Sequence, residues 1–232
     1  MLKEIIRKFK KLLRLMIEIR ILPGKGKIRK RYNTYQKKYL NFNIKAGDKV
    51  LDIGSGSDPF PLATYLADFY EEKTSHRTGK LVKDERPFVK CSVENMSFKN
   101  KDFDFVYCSH VLEHVQNPAK ACDELMRIGK RGYIETPTKT SDILFNIERG
   151  EEHHHWYITA VGKSLIFAEL SDQEKRKTTE YFSEQTESIF KNPIQDFTYN
   201  NWDLLYNMFL WEGSFNYYIF DKKGNLIKQK TV

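Results

Sequence analysis

Val50-Leu51-Asp52-Ile53-Gly54-Ser55-Gly56-Ser57-Asp58 is the stretch on which the fold turns. Val50, Leu51 and Ile53 form a short apolar run, the pattern of a strand buried on both faces. Asp52 interrupts the run just before two glycines, which let the backbone turn sharply and let a ligand approach it closely. A carboxylate at the end of a parallel strand stands where open α/β sheets bind their ligands. A plain strand followed by a glycine turn has the same local pattern, so the flanking sequence has to decide.

Downstream, Pro59 and Pro61 restrict any helix starting there, and Leu62 to Asp68 reads as a second short strand. Only about 16 residues separate Asp52 from Asp68, so the helix between their strands must be abbreviated. Asp68, ending that strand, is either a partner for ribose hydroxyls or a surface carboxylate. Residues 70–86 are polar and read as a loop. Phe88–Cys91 gives a third strand, and Asp102–Cys108 a fourth that ends at Ser109-His110. Asn117-Pro118 starts a helix, amphipathic from Ala119 to Ile128, and Gly132–Thr136 makes a fifth strand closed by Pro137. Strand and helix patterns alternate, the signature of a doubly wound, mostly parallel α/β sheet.

Upstream, Leu2, Ile5, Ile6, Phe9, Leu12, Leu13 and Met16 recur at helical spacing among lysines and arginines, until Pro23-Gly24 stops the pattern. Residues 1–31 carry a net charge of +10, and the other 201 residues a net of −2. Charges interrupt every apolar core, which excludes a signal peptide. Such a helix lies in an anionic membrane interface, packs on its own domain or a second subunit, or holds nucleic acid. The cluster Lys25, Lys27, Arg29, Lys30 and Arg31 fits an acidic surface or a solvated linker. Residues 32–46 read as a short aromatic-rich helix. No run of about 18 apolar residues marks a transmembrane helix. Cys91, Cys108 and Cys122 lack metal-type spacing; Cys91 and Cys108 fall in apolar runs and read as buried thiols of a reducing compartment.

Towards the C-terminus, Val161 to Leu170 and a polar stretch to Phe190 read as helical, before aromatic strands between Pro193 and Trp211. Those aromatics serve either core and hairpin packing or a sugar platform. Glu151-Glu152-His153-His154-His155-Trp156-Tyr157 reads as an acceptor-pocket loop with a catalytic or substrate-binding histidine, His154, or as a solvated loop. Three adjacent histidines cannot all face one ion on a regular element, so no metal is assigned.

From about residue 48 to 137 the chain resembles class I S-adenosylmethionine-dependent methyltransferases of the type 11 branch. The motifs are VLDIGSGSDPFP, PFVKCSVENMSF and FDFVYCSHVLEHVQNP with GYIETPT after it. The resemblance implies a Rossmann-like fold, a seven-stranded sheet with a reversed last strand between flanking helices. Ser214–Phe220 and Leu226-Ile227 would supply the final hairpin. Carried over by position, Asp52, Gly54, Ser55 and Gly56 surround the methionine part of S-adenosylmethionine, and Asp68 takes the ribose hydroxyls. Ser92, Val93 and Glu94 lie beside the adenine, and Ser109 and His110 beside the methyl-donor sulfur. Asp58 stands where the family has a third glycine, and Ser92 where it often has an acid.

A hydroxyl acceptor needs a base, and His110, at the end of the fourth strand, is the first candidate; a histidine bonding backbone at a strand-to-helix turn is the alternative. Glu113 and His114 read as bracing the loop. The expected organisation is a basic N-terminal helix and linker over 1–31 and a methyltransferase domain over 32–232. Its cofactor half spans about 48–137 and its acceptor-side additions about 138–200. The chain looks like relatives linked to cell-surface polysaccharide synthesis. The expected function is methyl transfer to a small-molecule or glycan/glycolipid acceptor, in the cytoplasm, at the inner face of a membrane. An RNA methyltransferase or a non-catalytic cofactor-binding assembly partner is the alternative.

Overall fold

The computed structural model describes residues 31–72, 79–145, 154–171, 174 and 193–232. The expected N-terminal helix ending at Pro23-Gly24, the linker after it up to residue 30, the histidine His153 and the polar stretch from 175 to 190 lie outside the described residues.

Five parallel strands and one reversed strand make the central sheet. They are β1 (Val50–Ile53), β2 (Tyr65–Asp68), β3 (Phe88–Lys90), β4 (Phe105–Ser109), β5 (Arg131–Pro137) and β8 (Tyr206–Glu212), in the order β3-β2-β1-β4-β5-β8. β8 runs antiparallel to β5, with Tyr133 opposite Leu210. Among the described residues the sheet therefore has six strands rather than the expected seven, and its reversed strand is Tyr206–Glu212 rather than the C-terminal run. That run builds a second, four-stranded sheet instead, in the order β10-β9-β7-β6. Its strands are β6 (Trp156–Val161), β7 (Ser164–Glu169), β9 (Asn216–Phe220) and β10 (Leu226–Lys230).

The helix expected over Val161–Leu170 is a hairpin. Gly162 takes φ +56° at its turn, and Leu165 and Phe167 point inward at period two. Short apolar runs fit either period, and here the β-branched Ile158, Thr159 and Val161 favour the strand. The aromatic strands expected between Pro193 and Trp211 are in part helical: α4 (Pro193–Asn200) and α5 (Trp202–Leu205) precede β8. The expected helix start holds. α2 (Pro118–Ile128) has Pro118 in its first turn, and Asn117 Oδ1 accepts a hydrogen bond from Lys120 N at 3.1 Å.

Strand alternation divides the core. Leu51, Ile53, Val106, Cys108 and Ile134 face one side, where α2 and the inner face of the second sheet (Trp156, Leu165, Phe167, Tyr217) cover them. Val50, Phe105, Tyr107 and Tyr133 face the other. No helix forms between β1 and β2, as the two prolines foretold. Phe60 covers that face instead, stacked on Tyr107 with ring centroids 4.1 Å apart and planes 5° apart. Phe42 packs edge-on to Phe60, Phe105 and Tyr133, and a π-helical turn (Tyr32–Gln36) running into α1 (Lys37–Tyr39) completes the cover.

Asp52 lies within this cover. It is 2 % exposed, and its Oδ2 accepts a hydrogen bond from Phe60 N at 2.7 Å. Burial pushes its carboxyl up to about 7, with the Phe60 N–H, Arg31 and Arg86 pulling the other way and Asp68 adding to the rise. An unfolded aspartate titrates near about 3.9, so at intermediate pH the native state holds a proton that the unfolded chain releases. The contribution of Asp52 to stability is therefore full below that value and is lost as pH rises through about 7. Asp52→Asn keeps an acceptor for Phe60 without the charge. Urea unfolding at mildly acidic and mildly alkaline pH should show a smaller loss of stability on alkalinisation in Asp52→Asn than in the parent. Equal losses would show that Asp52 does not titrate in this range.

Candidate active site

At the C-terminal ends of β1, β2 and β4 a cleft of about 1020 Å³ opens. Gly54, Ser55, Gly56, Asp68, Ser92, Val93, Glu94, Ser109, His110 and His154 all line it. The structure thus brings together every expected site residue except Asp52. Asp52 is on the opposite face, beneath the Phe60 loop, because it shares the orientation of Val50 rather than of Ile53. Its contact with the methionine part of a cofactor is corrected to a structural one.

The turn after β1 is held from both ends. Gly54 N and Ser55 N both donate to Ala67 O, at 2.8 and 3.0 Å. Gly54 takes φ +78°, and a Cβ there would stand 2.3 Å from Val111 Cγ2. Gly56, at φ +52°, donates its N–H to Asp68 Oδ2 at 2.9 Å, while Tyr70 N donates to Oδ1 at 3.0 Å. Two backbone donors fix the orientation of the Asp68 carboxylate at the cleft. Asp58, in place of a third glycine, accepts Arg31 N at 3.2 Å and so holds the Arg31 backbone beside the turn.

The three residues expected beside the adenine, Ser92, Val93 and Glu94, all line the cleft. Val93 is in the core wall of the cleft. Glu94 lines it too, but its Oε1 accepts Gln116 N at 2.8 Å and Asn117 N at 3.1 Å, so it also caps the approach to α2. Ser92 Oγ accepts Glu94 N at 3.1 Å.

Behind Ser109 and His110 lies a buried network. Glu135, fully buried on β5, accepts from Tyr35 Oη at 2.7 Å, Gln36 Nε2 at 2.9 Å, Ser109 Oγ at 3.1 Å and Tyr133 Oη. His110 sits at φ +56°, a strained backbone for a histidine, with its N–H on Glu135 O at 2.8 Å. Its Nε2 lies 3.4 Å from Glu135 Oε1 and its Nδ1 3.2 Å from Glu113 Oε1. Burial and the Arg31 charge oppose protonation of this ring, but the two carboxylates outweigh them and raise its pKa. Burial opposes charge on Glu135 as well, yet His110, Arg31 and Tyr133 hold its carboxyl down to about 2. Arg31, read in the sequence as part of a basic linker, instead lines the cleft and interacts with Glu135.

Another wall of the cleft draws on a different part of the chain. Leu112–His114 form a 3₁₀ turn, and His155 N donates to Glu113 O at 2.8 Å while Trp156 Nε1 donates to Val115 O at 2.7 Å. These bonds pin the start of β6 to the turn and seat His154 beside His114, with ring centroids 4.7 Å apart. Asp142, on α3 (Lys139–Phe145), holds His154 Nδ1 at 2.5 Å. Sequence reasoning missed Glu135, Arg31 and Asp142. A glutamate inside an otherwise apolar strand was a signal for the first; nothing local marks the other two.

Residues 51–134 match the type 11 family, described as a methyltransferase domain. With five parallel strands, a reversed edge strand and a cleft at their carboxyl ends, the architecture is decided. The fold is the Rossmann-like methyltransferase fold. Two curated demethylmenaquinone methyltransferases are similar, one from Clavibacter sepedonicus (34% identical, 38% of this chain and 39% of that protein) and one from Paenarthrobacter aurescens strain TC1 (33%, 39% and 38%). The chain thus matches about two fifths of the length of these relatives. Among solved structures, the PH0226 protein of Pyrococcus horikoshii OT3 aligns at 16% identity over 58% of this chain and 72% of that one, with a TM-score of 0.42.

S-adenosylmethionine is the cofactor of this domain, and the cleft suits it. Ser55 lines the cleft, and its buried Oγ has no hydrogen-bond partner among the described residues. The glycine turn brings bare backbone to the wall, and the Asp68 carboxylate is an acceptor matched to a vicinal diol.

Proposed function

We propose that this protein transfers a methyl group from S-adenosylmethionine to an oxygen of a small-molecule or glycan/glycolipid acceptor. The observation that carries the reading is the convergence, in one cleft, of the glycine turn and Asp68 with the Asp142-held His154. The cofactor supplies an electrophilic methyl group on a sulfonium sulfur. Gly54, Ser55 and Gly56 would hold its methionine part, Asp68 its ribose hydroxyls, and Ser92, Val93 and Glu94 the adenine side.

His110 has both ring nitrogens turned to carboxylates, which leaves neither for an acceptor proton. In this reading it positions the cofactor end of β4, and the action on the acceptor passes to His154. Asp142 fixes the ring's orientation. The wall around it (His114, Gln116, Lys120, His155) is polar and suits a hydroxyl-bearing ligand. The family match ends at residue 134, before His154 and the second sheet, so the acceptor side is not inherited with the match.

Residues 1–31, with their net charge of +10, would place the enzyme at an anionic membrane surface on the cytoplasmic side, within reach of a glycolipid acceptor. Among the described residues no helix is long and apolar enough to cross a membrane.

Incubation with labelled methyl donor and separate lipid, glycan, RNA and small-metabolite pools tests the proposal. Label should enter the lipid, glycan or small-metabolite fraction and not RNA. Transfer should fall by at least about 100-fold in His154→Ala, the usual size of a lost proton-transfer group, with S-adenosylhomocysteine affinity unchanged. Label in RNA would redirect the reading to the basic tail as a phosphate-binding arm. Cofactor binding with no transfer to any pool would make the protein an assembly partner.

A further inference from the structure

The acceptor-side wall holds a group that methyl transfer by itself does not need. Glu113, His114 and His154 each present one donor atom, and the three lie within 4.8 Å of one another. They come from two separate segments, the 3₁₀ turn after β4 and the lead into β6, clamped together by the His155 N–Glu113 O and Trp156 Nε1–Val115 O bonds. Adjacent histidines could not converge this way; one of them, met by a distant Glu-His pair, can.

The Glu113 carboxylate is the telling member. It is 1 % exposed, lines the cleft, and neither of its oxygens accepts a hydrogen bond from the described residues. His110 Nδ1 lies 3.2 Å from Oε1 and answers part of the charge, but the same ring also faces Glu135. One imidazole shared between two buried carboxylates leaves Glu113 Oε2 without a hydrogen-bond donor among the described residues, a costly arrangement for a buried carboxylate. The Asp142 contact adds the arrangement usual around ligating histidines: with Nδ1 on a carboxylate, Nε2 is the ring nitrogen that ligates.

We propose that Glu113, His114 and His154 hold a divalent transition-metal cation on the acceptor side of the cleft, and that the cation takes an oxygen of the methyl acceptor as a further ligand. Two imidazoles and a carboxylate suit Mn²⁺, Fe²⁺ or Zn²⁺, whereas Mg²⁺ prefers an all-oxygen shell. Metal–ligand bonds of about 2.0–2.2 Å bring neighbouring donors to roughly 3–3.5 Å, a contraction that small rotamer changes supply. Three protein ligands leave positions open, the mark of a site that binds a further molecule rather than one that only braces the fold. Two neutral imidazoles and one carboxylate leave such an ion with a net positive charge, which favours an acceptor hydroxyl, phenol or enol oxygen. This last role rests on the methyl-transfer reading and there replaces direct proton transfer by His154, whose Nε2 the ion occupies; the ion site itself does not rest on it.

The test separates the two. Full-length protein, stripped with a chelator and dialysed, is titrated with Mn²⁺ or Zn²⁺ alone, and bound metal is counted after gel filtration. One equivalent should bind, more tightly than Mg²⁺. His154→Ala and Glu113→Gln should each weaken binding at least tenfold, and Asp142→Asn by about 10–100-fold, the usual cost of losing a carboxylate behind a ligating histidine. His155→Ala should bind within twofold of the parent. Circular dichroism checks that each variant folds; if Glu113→Gln does not, His154→Ala, on the lead into β6, carries the comparison. No binding, or loss of binding in His155→Ala but not in His154→Ala, would overturn the site. Methyl transfer undiminished in the stripped protein would overturn the acceptor role, whereas metal binding without any transfer would count against the methyl-transfer reading and leave the site standing.

Discussion

Glu135→Ala should unfold at much lower denaturant than the parent, with a stability loss of about 3–5 kcal/mol, the range for breaking a buried charged network. One fully buried carboxylate answers four hydrogen-bond donors, those of Tyr35, Gln36, Ser109 and Tyr133, and lies 3.4 Å from the His110 ring. Removing it leaves those donors unpaired in a low-dielectric site, and each unsatisfied group costs about 1–3 kcal/mol before relaxation. Glu135→Gln discriminates between charge and shape. The amide keeps the volume but turns one acceptor oxygen into a donor facing other donors, so a large loss should persist. Because Ser109 and His110 lean on the same carboxylate, S-adenosylhomocysteine binding should weaken in both variants even where they remain folded. Urea titration followed by calorimetry measures both effects. A loss below about 1 kcal/mol would mean that water or rearrangement replaces Glu135, and that the network is not what holds the strained His110 backbone.

That network shows how far the sequence could be read. The first five strands, the α2 start and the missing first helix were legible because each rests on a local signal: apolar runs, Asn117-Pro118, and the prolines after Gly56. The residues around the cleft were legible for the same reason, since the ends of parallel strands fix where Ser109 and Asp68 must stand. What failed needed tertiary information. Asp52 was read as a ligand contact, yet strand alternation turned it towards Phe60, and no single-strand pattern says which face the ligand takes. The second half of the Trp156–Glu169 hairpin was read as helical, over Val161–Leu170, because Leu165, Ile166 and Phe167 fit either period. Arg31 looked like linker charge because its partner Glu135 is far away in the chain. Buried polar groups are the least local feature of a fold: their partners come from separate elements, here the N-terminal turn, β4 and β5, and only the assembled structure brings them within reach.

The largest effect on binding should come from Asp68. If its carboxylate accepts both ribose hydroxyls, Asp68→Ala removes two charge-assisted hydrogen bonds of about 1.5–3 kcal/mol each, so S-adenosylhomocysteine affinity should fall by roughly 10²–10⁴-fold. Part of that loss has a second source. Asp68 Oδ2 also receives Gly56 N–H and Oδ1 receives Tyr70 N–H, so the alanine variant loosens the glycine turn as well as the ribose contact. Asp68→Asn separates the two contributions. One oxygen remains to accept one backbone donor, and the amide can still donate to a ribose oxygen, so its loss should be intermediate, about tenfold to a hundredfold. Titration calorimetry with S-adenosylhomocysteine gives the affinities, and a thermal melt without ligand reports the turn. Both variants within threefold of the parent would remove Asp68 from the cofactor site. An equal loss in both would show that the charge, rather than the number of acceptors, carries the contact. A pronounced drop in melting temperature for Asp68→Ala alone would assign the effect to the Gly56 turn, and with it the reason a carboxylate stands at the end of β2: it orders the backbone that the ligand then meets.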